Sequence, residues 1–139
     1  MQIVIVGASR LGCRLAQQLA TAGHKVAVVD PRPEALDQLA DDFPGQRVVG
    51  VGIDLDTLAR AGAASADVLI AVTNRDSANI VSAQVARQKF NVPQVIARIY
   101  DPEAAQAYRQ MGISVFCPTA AGLEYILSLV QGETGEGEV

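Results

Sequence analysis

Short apolar runs alternate with helix-patterned segments six times along this chain, and that alternation limits the possible folds more than any other feature. Gln2 to Val6 is almost continuously apolar, as expected of a strand buried on both faces. Arg10 to Ala22 follows, with Leu11, Leu15 and Leu19 four residues apart and Gly23 as the stop. The pattern continues through a strand Lys25 to Asp30, a proline-opened helix Pro33 to Asp41, the strand "QRVVGV" and a short helix Leu55 to Ala61. Then come the strand "DVLIAV", the longest helix Ser77 to Phe90, the strand "QVIARIY", a helix Pro102 to Met111, the strand "ISVFC" and a last helix Thr119 to Val130. Each right-handed crossover lays its helix on a face of a parallel sheet. The expected fold is therefore α/β: a six-stranded parallel sheet, doubly wound in the order 3-2-1-4-5-6, with helices on both faces.

The 139 residues suit one domain, expected over 1–130. Residues 131–139, "QGETGEGEV", read as a solvated acidic tail or linker. The net charge of −4 and the lack of any basic cluster interleaved with aromatics argue against a nucleic-acid partner. Cys13 and Cys117 fit no metal or disulfide spacing and read as buried thiols. His24, the single histidine, falls in a turn. No run is apolar enough to span a membrane, and the N-terminus enters a strand without a basic leader. A cytoplasmic protein is expected, with any membrane role exercised through a partner.

Ligands of doubly wound folds bind at the carboxyl ends of the strands. After the first strand comes "GASRLG", residues Gly7, Ala8, Ser9, Arg10, Leu11 and Gly12, a Rossmann-like glycine turn. Gly7 permits the turn, Gly12 permits close helix–sheet packing, and the helix N-terminus suits a phosphate. Ser9 stands where the middle glycine is usual, and either crowds a phosphate or donates to it. Asp30 ends the second strand, about 20 residues past the turn, where an acid binds ribose hydroxyls. Its charge disfavours the 2′-phosphate of NADP. Pro31 follows, and Arg32 is placed either to lie over an adenine face or to stand as a free surface arginine. Val51 and Gly52 end the third strand, Thr73 and Asn74 the fourth. Arg98, in the fifth strand among apolar neighbours, needs a carboxylate or phosphate partner. No substrate domain, catalytic acid or G-x-x-x-x-G-K-[ST] loop accompanies the site, so a domain that binds a nucleotide without transforming it is expected, and not an enzyme. The last helix is apolar around most of its circumference and is expected either to be a well-covered terminal helix or, the favoured reading, to form a subunit interface.

These residues resemble a known family: the N-terminal RCK domain, also called the TrkA-N domain, of bacterial potassium transport regulators. The resemblance runs from about Gln2 to Leu129. It is carried by "IVIVGASRLG", "VAVVD", "GVGID", the stretch from Asp67 to Ala86, "VPQVIARIYDPE" and "GISVFCPT". It implies a cytoplasmic regulatory subunit that forms homodimers, often an octameric ring, on a membrane-embedded potassium transporter or channel. Such domains bind ATP, ADP or NAD(H), and ligand exchange gates the pore. By position, the resemblance gives the phosphates to Gly7 through Gly12 and the ribose to Asp30. It gives the adenine and its ribose to Val51, Gly52, Thr73 and Asn74, and places Arg98 in the family's "ARI" segment. Arg10 matches an arginine that in some members reaches a phosphate in the neighbouring subunit. Ser9, Val51 in place of a usual Asp or Asn, and the lack of a C-terminal ligand-binding subdomain depart from the pattern. The last implies either a truncated or multi-domain parent, the favoured reading, or a short natural member. A channel or efflux-antiporter regulator is the alternative duty; a small NAD-dependent oxidoreductase or a non-binding scaffold stands further off.

Overall fold

The computed structural model describes residues 1–132; the expected acidic tail falls almost wholly outside them. Six parallel strands form one sheet: β1 (Gln2–Val6), β2 (Lys25–Asp30), β3 (Gln46–Val49), β4 (Val68–Ala71), β5 (Gln94–Arg98) and β6 (Ser114–Phe116). Their order is β3-β2-β1-β4-β5-β6, so the order reverses between β1 and β4, as the alternation predicts. Helices α1 (Arg10–Thr21), α2 (Pro33–Leu36), α3 (Leu55–Arg60), α4 (Asp76–Phe90), α5 (Pro102–Arg109) and α6 (Pro118–Val130) connect and follow the strands, with a short 3₁₀ turn at Ala63–Ser65.

Because successive strand side chains point to opposite faces, β1 serves two cores. Ile3 and Ile5 pack with Cys13 and Ala16 of α1 and with Leu36 of α2. Val4 and Val6 pack with Leu58 of α3, Ile80 and Ala83 of α4, and Ala105 of α5. Covered on both faces, β1 and β4 are continuously apolar, which is why their sequences show no alternation.

The helix expected to run to Asp41 ends at Leu36. The Gln38 side-chain amide and its backbone N–H both donate to the Ala35 carbonyl, at 3.1 and 3.2 Å. That carbonyl would otherwise accept the helical bond from Leu39. The Leu39 N–H turns instead to Leu36, at 3.1 Å, and the chain tightens into turns.

Helix α6 has no buried residue. Leu123, Ile126 and Val130 are 60%, 59% and 78% exposed, and Tyr125, Leu127 and Leu129 are exposed beside them. A well-covered terminal helix is thereby ruled out for the isolated chain. Among the described residues, no helix is long and apolar enough to cross a membrane.

Candidate functional site

The turn after β1 is built by its two glycines. Gly7 has φ +109°, and a Cβ there would lie 2.8 Å from the Thr73 nitrogen. At Gly12 a Cβ would lie 2.0 Å from the Gly7 carbonyl oxygen, so α1 can start this close to the sheet only on a glycine. The Ser9 hydroxyl donates to the Val72 carbonyl at 2.8 Å and accepts from the Gly12 N–H at 3.1 Å. It is the N-cap of α1 and ties that helix to the end of β4. Ser9, Arg10 and Leu11 have no backbone N–H partner among the described residues, so the start of α1 keeps the free donors and positive dipole end that hold anions.

Asp30 ends β2 almost fully buried. Its Oδ2 accepts from the Ala8 N–H at 2.9 Å, which links β2 to the glycine turn. Its Oδ1 accepts from the Arg32 N–H at 2.9 Å and Nε at 3.1 Å, and Arg32 Nη2 reaches Oδ2 at 3.4 Å. Burial pushes the carboxyl pKa up, but the Arg32 side chain and amide and the Ala8 amide outweigh it and hold the group below its ordinary value. The Cys13 thiol is pushed up by burial and by the nearby Asp30 charge, so it stays an inert thiol.

A cavity of about 420 Å³ opens at the carboxyl ends of the central strands. Gly7, Asp30, Pro31 and Arg32 line one side. Val51, Gly52 and Ile53 line a second side, and Thr73, Asn74 and Arg75 with Ser77, Ala78, Val81 and Ser82 line a third. Gly52 is set by contact: a Cβ there would lie 2.2 Å from Val6 Cγ1. Its carbonyl accepts from the Ser82 hydroxyl at 2.9 Å, which fastens the loop after β3 to α4. Val51, Ile53 and Val81 are exposed, so this wall of the cavity is apolar and uncovered.

The loop after β4 is held by residues outside the cavity. Asn79 Oδ1 accepts from the Thr73 N–H at 2.8 Å and from its hydroxyl at 2.6 Å. The Asn79 amide donates to the Thr73 and Arg98 carbonyls at 3.1 and 2.8 Å. Arg98 Nη2 donates to the Val72 and Thr73 carbonyls at 2.9 and 3.0 Å, and its guanidinium lies 5.2 Å from the Tyr100 ring centre. Beside it, the Asp76 carboxylate accepts from the Tyr100 and Asp101 amides at 2.9 and 3.3 Å. Cys117 Sγ contacts the Tyr100 carbonyl at 3.6 Å and caps α6 by accepting from the Ala120 N–H at 3.5 Å. A chain of polar contacts thus runs from the cavity wall to the start of the exposed helix.

With this geometry in place, the family model described as "TrkA-N domain" matches residues 3–118. The chain belongs to the TrkA-N domain family. It is 46% identical, over 90% of its length, to the Trk system potassium uptake protein TrkA of Streptomyces coelicolor. It covers 54% of that relative, and thus spans about half the length of the protein it matches. Among solved structures, the TrkA-N domain of the inner membrane protein ybaL from Escherichia coli superposes with a TM-score of 0.80 at 21% identity, covering 93% of this chain and 96% of that one. The AMP-bound form of the Shewanella denitrificans Kef CTD gives 0.77 at 21%, covering 97% and 84%. The ADP-bound GsuK gives 0.77 at 24%, covering 95% and 34%. At these identities the structural matches establish the shared fold.

This TrkA-N domain brings together eight of the fourteen residues expected at its site. Gly7, Asp30, Pro31, Arg32, Val51, Gly52, Thr73 and Asn74 all line the cavity. Ala8, Ser9, Arg10, Leu11, Gly12 and Arg98 do not. Ala8 is buried behind the turn, and Ser9 spends its hydroxyl on Val72 and Gly12 instead of standing free for a phosphate. Arg98 finds backbone carbonyls and an aromatic face where a carboxylate or phosphate was expected. Arg32, expected over an adenine face, is paired with Asp30. Asn79 and Ser82 were missed. Their only signal was polarity three residues apart on the buried face of a long helix.

Proposed function

We propose that this TrkA-N domain is the nucleotide-sensing part of a cytoplasmic regulatory subunit that gates a membrane potassium-uptake system. The observation that carries this is the cavity at the strand ends, where Gly7 of the glycine turn, Asp30 and the apolar wall of Val51, Ile53 and Val81 line one space, as a phosphate turn, a ribose acid and a base wall would. The names of its relatives favour potassium uptake over efflux, and the AMP- and ADP-bound neighbours support an adenine nucleotide such as ATP, ADP or NAD(H). The 2′-phosphate of NADP would face the Asp30 carboxylate. Such a sensor needs no catalytic group, since binding alone does its work.

The expected partners are a second copy of the chain, docked through α6, and a membrane-embedded potassium transporter or channel subunit. A ligand shifts the dimer arrangement only if it binds the two arrangements with different affinities. The contacts from Thr73 through Asn79, Arg98 and Tyr100 to Cys117 provide a route between the cavity and α6. Arg10 is exposed at the start of α1, and in a dimer it would reach a γ-phosphate in the neighbouring subunit. The test is calorimetric titration of wild type and Arg10→Ala with ATP and ADP. ATP affinity is expected to fall several-fold more than ADP affinity. Equal weakening of both ligands removes Arg10 from the switch.

A further inference from the structure

We propose that Arg32 is a built-in competitor for the ribose, closing the Asp30 carboxylate until a ligand with a 2′,3′-diol displaces it. This rests on the nucleotide reading above and deepens it. An ionised carboxylate offers about four lone-pair sites. Here all four are in use: Oδ1 accepts from the Arg32 amide and Nε, and Oδ2 from the Ala8 amide and Arg32 Nη2. The fold fixes the two amide bonds. Ala8 belongs to the glycine turn, and the Arg32 amide follows Asp30 by two residues.

The other two bonds come from the guanidinium, and that group alone can leave. The Arg32 side chain is 57% exposed, whereas that of Asp30 is 5% exposed. Water can solvate the departing cation, while Asp30 can turn nowhere else. A ribose diol presents two O–H donors, the number that the guanidinium vacates. A ligand lacking both hydroxyls has no use for Asp30 and leaves the pair closed.

The opposite role for Arg32, as a support lying over the base or pairing with a phosphate, predicts the opposite sign, so one substitution separates the two. The 139-residue chain and its Arg32→Ala and Arg32→Gln variants are titrated calorimetrically with ADP and with 2′,3′-dideoxy-ADP. Removing the competitor is expected to tighten ADP about two- to fivefold, in keeping with the weakness of an exposed ion pair, and to leave the dideoxy ligand unchanged. Both variants keep the backbone amides on Asp30, and a urea midpoint close to wild type checks that the fold is intact. ADP binding that is unchanged or weaker in both variants overturns the proposal, as does equal tightening of both ligands. A wild-type chain that fails to bind ADP at millimolar concentration overturns the nucleotide reading itself, a result distinct from a wrong sign at Arg32.

Discussion

Replacing Asn79 with alanine tests whether the loop after β4 is held by a single side chain. Asn79 is fully buried, and its amide makes four contacts, three to Thr73 and one to the Arg98 carbonyl. In Asn79→Ala the Thr73 N–H and the Arg98 carbonyl lose that partner inside the protein. A buried polar group left unpaired costs about 1–3 kcal/mol. The sum for the two groups is about 2–6 kcal/mol, a large share of the roughly 5–15 kcal/mol that holds a domain together. For a domain of this size that corresponds to a fall in Tm of about 7–20 °C. Urea unfolding followed by circular dichroism measures it, with an unchanged m-value showing that the unfolded reference is the same. Asn79→Asp is the companion: it keeps the oxygen acceptors for Thr73 but loses the donor to Arg98 and buries a charge, so it should be at least as unstable at neutral pH. A loss below about 1 kcal/mol in Asn79→Ala would mean that the Thr73 loop is held by something other than this amide.

Gly52→Ala should hurt both stability and binding, because the new methyl meets Val6 Cγ1 at 2.2 Å at the cavity wall. Overpacking of this kind costs about 1–3 kcal/mol, and a variant with wild-type stability and ADP affinity would refute the contact. The depressed Asp30 pKa makes a pH prediction. Its folded value lies below the unfolded one, about 3.9, so its stabilisation is complete above the unfolded value and is lost as pH falls through the folded value. The Tm difference between wild type and Asp30→Asn should therefore hold steady above about pH 5 and shrink below about pH 4. A difference that stays constant down to pH 2 would contradict a depressed carboxylate at this site.

What local pattern could decide, it decided. Alternation of apolar runs with helical segments is enough to predict the six parallel strands and their order, because crossover handedness leaves few topologies open. Gly7, Gly12 and Asp30 are legible for the same reason: each serves the backbone geometry of the turn, tied to a fixed place in one strand–helix–strand unit. The excess of apolar residues in α6 also marked it as a helix that one domain cannot cover.

Only the tertiary structure decided which polar groups meet. The sequence leaves Ser9 either to crowd a phosphate or to donate to one; β4 brings the Val72 carbonyl to its hydroxyl across 63 residues of chain. Arg98 seemed to need an anion, but the β4–β5 pairing puts two carbonyls within its reach. The Gly52–Val6 contact and the Asn79 bonds likewise join residues whose proximity the sheet creates. Arg32 lies only two residues from Asp30, yet spacing alone could not tell an ion pair from a base-stacking arm. A buried hydrogen bond depends on direction to within a few tens of degrees, and no hydrophobic period encodes that.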